Sequence, residues 1–125
     1  MTEDEVKIAM KNHLERHDYE VAVIFGKAGG IDIEAAKENE RILIEARGEA
    51  ASPQQQTDLF LTALGAIVRW MTDPDARYGI ALPDNQVYRG LVQKLPSLSR
   101  SRLNLTVFYV RRAGDKIEVT EEVQG

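Results

Sequence analysis

The stretch that decides the fold runs from Ile31 to Gly48 and reads IDIEAAKENERILIEARG. Its side chains alternate over 31–35 as Ile, Asp, Ile, Glu, Ala and again over 41–47, where Ile and Ala interleave with Leu, Glu and Arg. Alternation with a period of two is typical of β-strands, and the polar segment 37–40 between them is typical of a turn. The stretch therefore predicts a hairpin of two antiparallel strands.

This hairpin predicts a cluster of polar side chains on one surface of the sheet. Because alternate residues share a face, Asp32 and Glu34 lie together on the first strand, and Glu45 and Arg47 lie together on the second. Carboxylates that hold Mg²⁺ or Mn²⁺ beside a cation are suited to phosphodiester hydrolysis. The alternation alone leaves a second interpretation open, in which these residues form a solvated face with cross-strand ion pairs.

The rest of the chain is assigned by the same criteria. The predicted elements are a helix over 2–17, a strand over 20–25, a glycine-rich turn over 26–30, a largely buried helix over 52–71, a strand over 78–82, a helix over 86–95, a polar connection over 97–104, a strand over 105–110 and an edge strand over 116–119. This order predicts one α/β domain with a mixed sheet and helices on both faces.

Composition narrows the classes of function. The chain has 125 residues, a hydrophobic fraction of 43%, a net charge of −4 and no cysteine, which excludes disulfides, thiolate zinc sites and cysteine nucleophiles. The negative charge does not exclude nucleic acid, because positive charge can concentrate on one face. No apolar run approaches the roughly 20 residues of a membrane span, and the acidic N-terminal residues are unlike a signal peptide. We therefore expect a cytoplasmic protein without a membrane partner.

The motifs resemble the PD-(D/E)xK nuclease superfamily. The segment 26–34, GKAGGIDIE, resembles its glycine-rich turn and aspartate strand, and 41–48, RILIEARG, resembles the "ExK" strand that follows. The preceding segment 14–21 resembles a helix-to-strand passage of archaeal Holliday-junction resolvases and Mrr-type restriction endonucleases. The resemblance implies a restriction-endonuclease-like fold, with an αβββαβ core, an extra helix and C-terminal strands. It also implies a nuclease that depends on Mg²⁺ or Mn²⁺ and acts on nucleic acid, with DNA as the expected substrate.

The resemblance assigns roles by position. Asp32 and Glu45 correspond to metal ligands, and the backbone carbonyl of Ala46 corresponds to a third ligand. Arg47 stands where the family has its lysine. Lysine can lose its proton when desolvated, whereas arginine stays charged, so Arg47 would supply only electrostatic stabilisation. This departure keeps open an alternative function, a catalytically degenerate module that binds nucleic acid or a protein partner.

Other residues are candidates for supporting roles. Family members place a glutamate of the first helix near the metal, which indicates Glu5, with Glu3 as second choice, although the best register puts Lys7 nearer that place. The alternative is that these acids cap the helix. Gln56 and Gln55 begin the second helix, where a glutamine reaches the site in related families. The alternative for them is a polar first turn.

The remaining expectations concern partners. Glu34 is a candidate to extend the acidic cluster, although a solvent-facing position is the alternative. Arg100 and Arg102, in the serine-rich connection, are candidates for phosphate contacts, with a solvated loop as the alternative. Trp70 and Tyr88 are expected to pack rather than to stack on bases. A homodimer through the second helix or the last strand is a further expectation.

Overall fold

The computed structural model of the protein describes residues 1–26 and 29–122. The elements are α1 (Glu3–Arg16), β1 (Glu20–Val23), β2 (Ile33–Lys37), β3 (Glu40–Ala46), α2 (Pro53–Arg69), β4 (Arg77–Pro83), α3 (Gln86–Gln93), α4 (Ser97–Arg102), β5 (Leu105–Ala113) and β6 (Lys116–Glu122). The order is the predicted one with α4 added, so the expectation of a polar connection over 97–104 was wrong. Of the predicted turn over 26–30, residues 27 and 28 lie outside the described residues. No helix in the described ranges combines the length and hydrophobicity needed to cross a bilayer.

The strands form one mixed sheet in sequence order. Its six strands are ordered β1-β2-β3-β4-β5-β6. The pairs β1–β2, β2–β3 and β5–β6 are antiparallel, and β3–β4 and β4–β5 are parallel. Because crossovers between parallel strands are right-handed and β3, β4 and β5 advance in one direction, their connecting helices fall on the same face. The predicted α/β architecture is confirmed.

Helices cover both faces, and each face has its own core. On one face, Met10 of α1 belongs to a cluster with Ile33 and Ile44. On the other face, Phe60 of α2 belongs to a cluster with Leu43, which also includes residues of α3 and β5. Since strand residues alternate, Glu45 lies on the same face of β3 as Leu43. The hydrophobic alternation of β3 therefore directs Glu45 towards α2.

The chain after β3 passes directly against the start of α1. Thr2 caps α1, where its side chain accepts from the backbone N–H of Glu5. A Cβ atom at Gly48 would overlap the backbone nitrogen of Glu3 and lie 2.8 Å from the carbonyl carbon of Thr2. The backbone N–H of Glu49 donates to the carbonyl of Met1 at 2.8 Å. The absence of a side chain at Gly48 thus allows the first turn of α1 to lie beside the end of β3.

Candidate functional site

Asp32 and Glu45 meet at the end of β3. The antiparallel register pairs Ile33 with Ile44, so Asp32, just before β2, lies opposite Glu45. Both carboxyl groups lie within 4 Å of the same atom, Nη1 of Arg47, and they are close enough to interact when one of them is protonated. The Asp32 side chain is 16% exposed and the Glu45 side chain 7% exposed. The hairpin places these carboxyl groups on one surface, as the alternation predicts.

The two carboxyl groups titrate differently. Burial raises the pKa of Glu45 to about 8, and the hydrogen bond and negative charge of Asp32 add to the rise. Burial acts in the same direction on Asp32. There, however, the hydrogen bonds with Glu45 and with the Ala46 N–H, together with the charges of Lys7 and Arg47, lower the pKa of Asp32 below its ordinary value. Near neutral pH the pair therefore holds one proton, on Glu45.

Arg47 fixes a positive charge beside this pair. Its Nη1 lies 3.4 Å from Oδ2 of Asp32 and 3.8 Å from Oε2 of Glu45. The same Nη1 donates to the carbonyl of Ala46 at 2.8 Å, and Nε donates to the carbonyl of Leu59 at 3.2 Å. The guanidinium is thus anchored between β3 and α2. Arg47 thus contacts α2, the helix towards which Glu45 is directed.

Lys7 supplies a second cation, to which the sequence interpretation assigned no role. Its side chain is fully buried, and Nζ donates to the carbonyl of Ile24 at 2.7 Å. Nζ also lies 3.2 Å from Oε2 of Glu3 and 3.5 Å from Oδ1 of Asp32. The best register with the archaeal Holliday-junction resolvases had already put Lys7 near the expected metal. A second signal was the spacing from Lys7 to Met10 and Leu14, three and seven residues later on α1. This spacing puts the lysine on the apolar side of the helix, where it requires polar partners inside the protein.

Glu5 and Glu34, the two acidic residues predicted to support the site, form their hydrogen bonds and ion pairs away from Asp32 and Glu45. Oε1 of Glu5 accepts from the backbone N–H of Thr2 in the capping box, and Oε2 forms an ion pair with Arg112. Oε2 of Glu34 accepts from Nε of Arg41 at 3.1 Å. Glu5 therefore serves α1 as a cap. A role of either residue in the chemistry stays a prediction.

The glutamines at the start of α2 differ in burial. Gln56 is 5% exposed, and its Oε1 accepts from Nδ2 of Asn85 at 3.1 Å, which connects α2 to the residue that caps α3. Gln55 is exposed, and its backbone N–H donates to the Ser52 side chain. Within the described ranges, none of the hydrogen bonds of Gln55 or Gln56 reaches Asp32 or Glu45, and their supporting roles stay predictions.

Arginines near the C-terminal end of the chain mostly form ion pairs with glutamates. Arg100 lies in α4 and is only 6% exposed, and its Nη1 donates to Oε1 of Glu122 at 3.1 Å. Arg102 is exposed. Arg111 pairs with Glu118 at 2.7 Å. A phosphate contact requires an exposed side chain. Arg100 is therefore too buried for its predicted contact, whereas Arg102 is accessible.

Asp32 and Glu45 would supply two carboxyl ligands to the expected divalent cation. Mg²⁺ is commonly held by one or two carboxylates and completes its shell with water, and within residues 1–26 and 29–122 there is no group of three or more acidic or histidine side chains placed to hold a metal. The predicted third ligand, the Ala46 carbonyl, already accepts from Arg47. A metal at this carbonyl would compete with the guanidinium.

A cleft of about 380 Å³ opens beside this site. It connects Glu45 to solvent between the end of α2 and the segment that precedes β2. The cleft is lined by Gly29, Gly30, Glu45, Ala66, Arg69 and Trp70.

The fold is similar to that of two solved structures. One is an XisH family protein from Nostoc punctiforme PCC 73102, with a TM-score of 0.56 and 20% identity over 85% of this chain and 90% of that one. The other is an fdxN element excision controlling factor protein from Anabaena variabilis, with a TM-score of 0.55 and 18% identity over 87% of this chain and 89% of that one. No protein-family model and no curated protein matches the sequence. The likeness shows the predicted fold, which is restriction-endonuclease-like.

Proposed function

We propose that this protein is a metal-dependent nuclease that hydrolyses phosphodiester bonds in DNA, with Asp32 and Glu45 as metal ligands. The observation that carries the proposal is the closeness of these two largely buried carboxyl groups at the end of β3, which lie 3.4 Å and 3.8 Å from the same Nη1 of Arg47. Two carboxyl groups so close repel each other when both are ionised, so a proton or a cation has to neutralise one of them. The restriction-endonuclease-like fold supports the same assignment.

The residues around the pair fit this chemistry. When bound, Mg²⁺ or Mn²⁺ polarises the phosphate and lowers the pKa of a water molecule. Arg47 is held by the Ala46 and Leu59 carbonyls and stabilises negative charge that develops on the phosphate. Because its guanidinium keeps its proton, Arg47 cannot take a proton from water. Lys7 adds a second positive charge beside Asp32.

Conservative substitutions of Asp32 and Glu45, which we call the acid pair, test the proposal. We expect Asp32→Asn and Glu45→Gln each to lower Mg²⁺-dependent cleavage of labelled DNA by on the order of 100-fold or more, because each removes a charge needed to hold the metal. Glu15→Gln is the matched control, since Glu15 forms an exposed pair with Lys11 and its loss should leave cleavage unchanged. Cleavage at the native rate by either acid-pair variant would contradict the proposal.

Arg47 favours a second candidate function, a nuclease-fold module that binds nucleic acid without cleaving it. Its guanidinium engages the Ala46 carbonyl and lies near both carboxyl groups, where it partly neutralises the pair. Calorimetry with Mn²⁺, together with cleavage assays on the native protein and Arg47→Lys, separates the two functions. Metal binding with cleavage that rises in Arg47→Lys supports the nuclease. DNA binding without metal binding in both proteins supports the module.

A further inference from the structure

The cleft beside Glu45 combines an aromatic ring with a cation. Trp70 directly follows α2, and 38% of its surface is exposed. Arg69, the last residue of α2, is exposed and lines the same cleft. A tryptophan that borders a cleft, instead of packing inside, presents a flat apolar face to a ligand. Trp70 is therefore partly packed, and the rest of its surface is accessible.

Three of the other residues that line the cleft leave room for a planar ring. Gly29 and Gly30 bring no side chains to it, and Ala66 of α2 adds only a methyl group. Gly30 has a φ of +124°, and a Cβ atom there would lie 3.0 Å from Cδ1 of Ile24, so a larger residue would be strained. The cleft volume of about 380 Å³ is within the range of small-molecule sites.

We propose that this cleft binds an unpaired nucleotide, with its base stacked on Trp70 and its phosphate beside Arg69. The stacking face of a base is accessible in single strands and branched DNA, whereas it is covered inside a continuous duplex. Arg69 takes part in none of the ion pairs within the described part of the chain, so its charge is available to a phosphate. The cleavage preference that follows, for unpaired over continuous duplex DNA, rests on the proposed nuclease function. The binding itself does not.

The position of Glu45 connects this cleft to the acid pair. Glu45 lines the cleft and contacts Asp32. A nucleotide in this cleft therefore lies next to Glu45, one of the two candidate metal ligands.

Intrinsic fluorescence provides a direct test, because Trp70 is the single tryptophan of the chain. The full chain is titrated with oligothymidylate and with a blunt duplex of the same length, in chelator so that no cleavage occurs. We expect single strands to quench the fluorescence and the duplex to leave it unchanged. In anisotropy measurements with labelled oligothymidylate, Trp70→Leu should weaken binding about 5- to 150-fold, and Trp70→Phe should retain most of it.

A second variant tests the cleft without removing the tryptophan. Ala66→Leu fills the space and should abolish both binding and quenching. Val68→Leu is the matched control, since Val68 is 53% exposed on the same helix and does not line the cleft. Native binding by Trp70→Leu, or equal quenching by single strand and duplex, would overturn the proposal.

The outcomes distinguish this proposal from the nuclease proposal. Quenching by single strands in a protein that cleaves nothing supports the nucleotide cleft while the nuclease assignment fails. Metal-dependent cleavage by a protein whose Trp70→Leu and Ala66→Leu variants bind oligothymidylate as tightly as the native protein overturns the nucleotide cleft while the nuclease assignment stands.

Discussion

The ammonium group of Lys7 lies 3.5 Å from Oδ1 of Asp32. Lys7 belongs to α1, on one face of the sheet, whereas the partner of Asp32, Glu45, lies on the opposite face with Leu43. Oδ2 of Asp32 accepts from the backbone N–H of Ala46 at 2.9 Å. Asp32 therefore joins α1, β2 and β3, and the charges of the candidate site also hold these elements together.

Replacing Lys7 should destabilise the fold. We expect Lys7→Met to lower the free energy of unfolding by about 1–3 kcal/mol, because it leaves the Ile24 carbonyl without its donor and removes a cation from Asp32. Lys11→Met is the control, since Lys11 makes an exposed pair with Glu15 at 3.2 Å. It should cost less than about 0.5 kcal/mol. Urea unfolding of both variants measures the difference, and equal losses would contradict the structural role of Lys7.

The close approach at Gly48 should make this position intolerant of a side chain. Gly48→Ala forces a methyl group into the backbone of Thr2 and Glu3, and we expect a loss of about 1–3 kcal/mol in the free energy of unfolding. Gly65→Ala is the matched control, because a Cβ atom at this exposed position in α2 meets nothing within 4 Å. It should stabilise the helix by up to about 1 kcal/mol. Thermal unfolding that shifts in the same direction for both variants would refute this explanation.

The hydroxyl of Tyr88 should contribute to stability. It is fully buried and donates to the carbonyl of Gly48 at 2.7 Å, which connects α3 to the segment after β3. We expect Tyr88→Phe to lower the free energy of unfolding by about 1–2 kcal/mol, because a buried carbonyl loses its donor. Tyr19→Phe, which loses an exposed bond of 3.2 Å to Glu40, should have a smaller effect in the same urea titration.

Glu45 should make stability depend on pH. Between its ordinary pKa of 4.5 and about 8, the folded state holds a proton that the unfolded state has released. The contribution of Glu45 to the free energy of unfolding therefore falls as pH rises through this window and is constant above it. Urea unfolding of the native protein and Glu45→Gln across the window measures this contribution, since only the native protein carries the titrating group. A difference between the two that stays flat with pH would show that the pKa of Glu45 is not raised.

The proton on Glu45 also opposes metal binding. A divalent cation requires the ionised carboxylate, so binding has to release this proton. We expect the affinity for Mn²⁺ to increase as pH rises towards about 8, and calorimetry in buffers of different ionisation enthalpy should detect the released proton. A Mn²⁺ affinity independent of pH over this range would place the metal, if it binds, away from Glu45.

The local pattern of the sequence determined the hairpin and the meeting of Asp32 with Glu45. Side chains on strands alternate with a period of two, and a short turn sets the register, so both facts are readable within a few residues. The prediction of a loop over Ser97–Arg102 was wrong because the same local pattern carries no information about distant packing partners. The serines and arginines of this segment read as polar, whereas the helix is completed by Leu103, which packs against the core, and by the ion pair of Arg100 with Glu122.

Tertiary structure alone decided the surroundings of the acid pair. Lys7 reaches Asp32 only because α1 packs across the sheet, and Arg100 is buried only because α4 packs on β5 and the neighbouring strand β6 ends at its partner Glu122. Trp70 shares a cleft with Glu45 only because α2 ends next to the segment before β2. These contacts join residues far apart in the chain, and packing of whole elements sets them. The alternation of neighbouring side chains, which carries the sequence signal, contains no information about them.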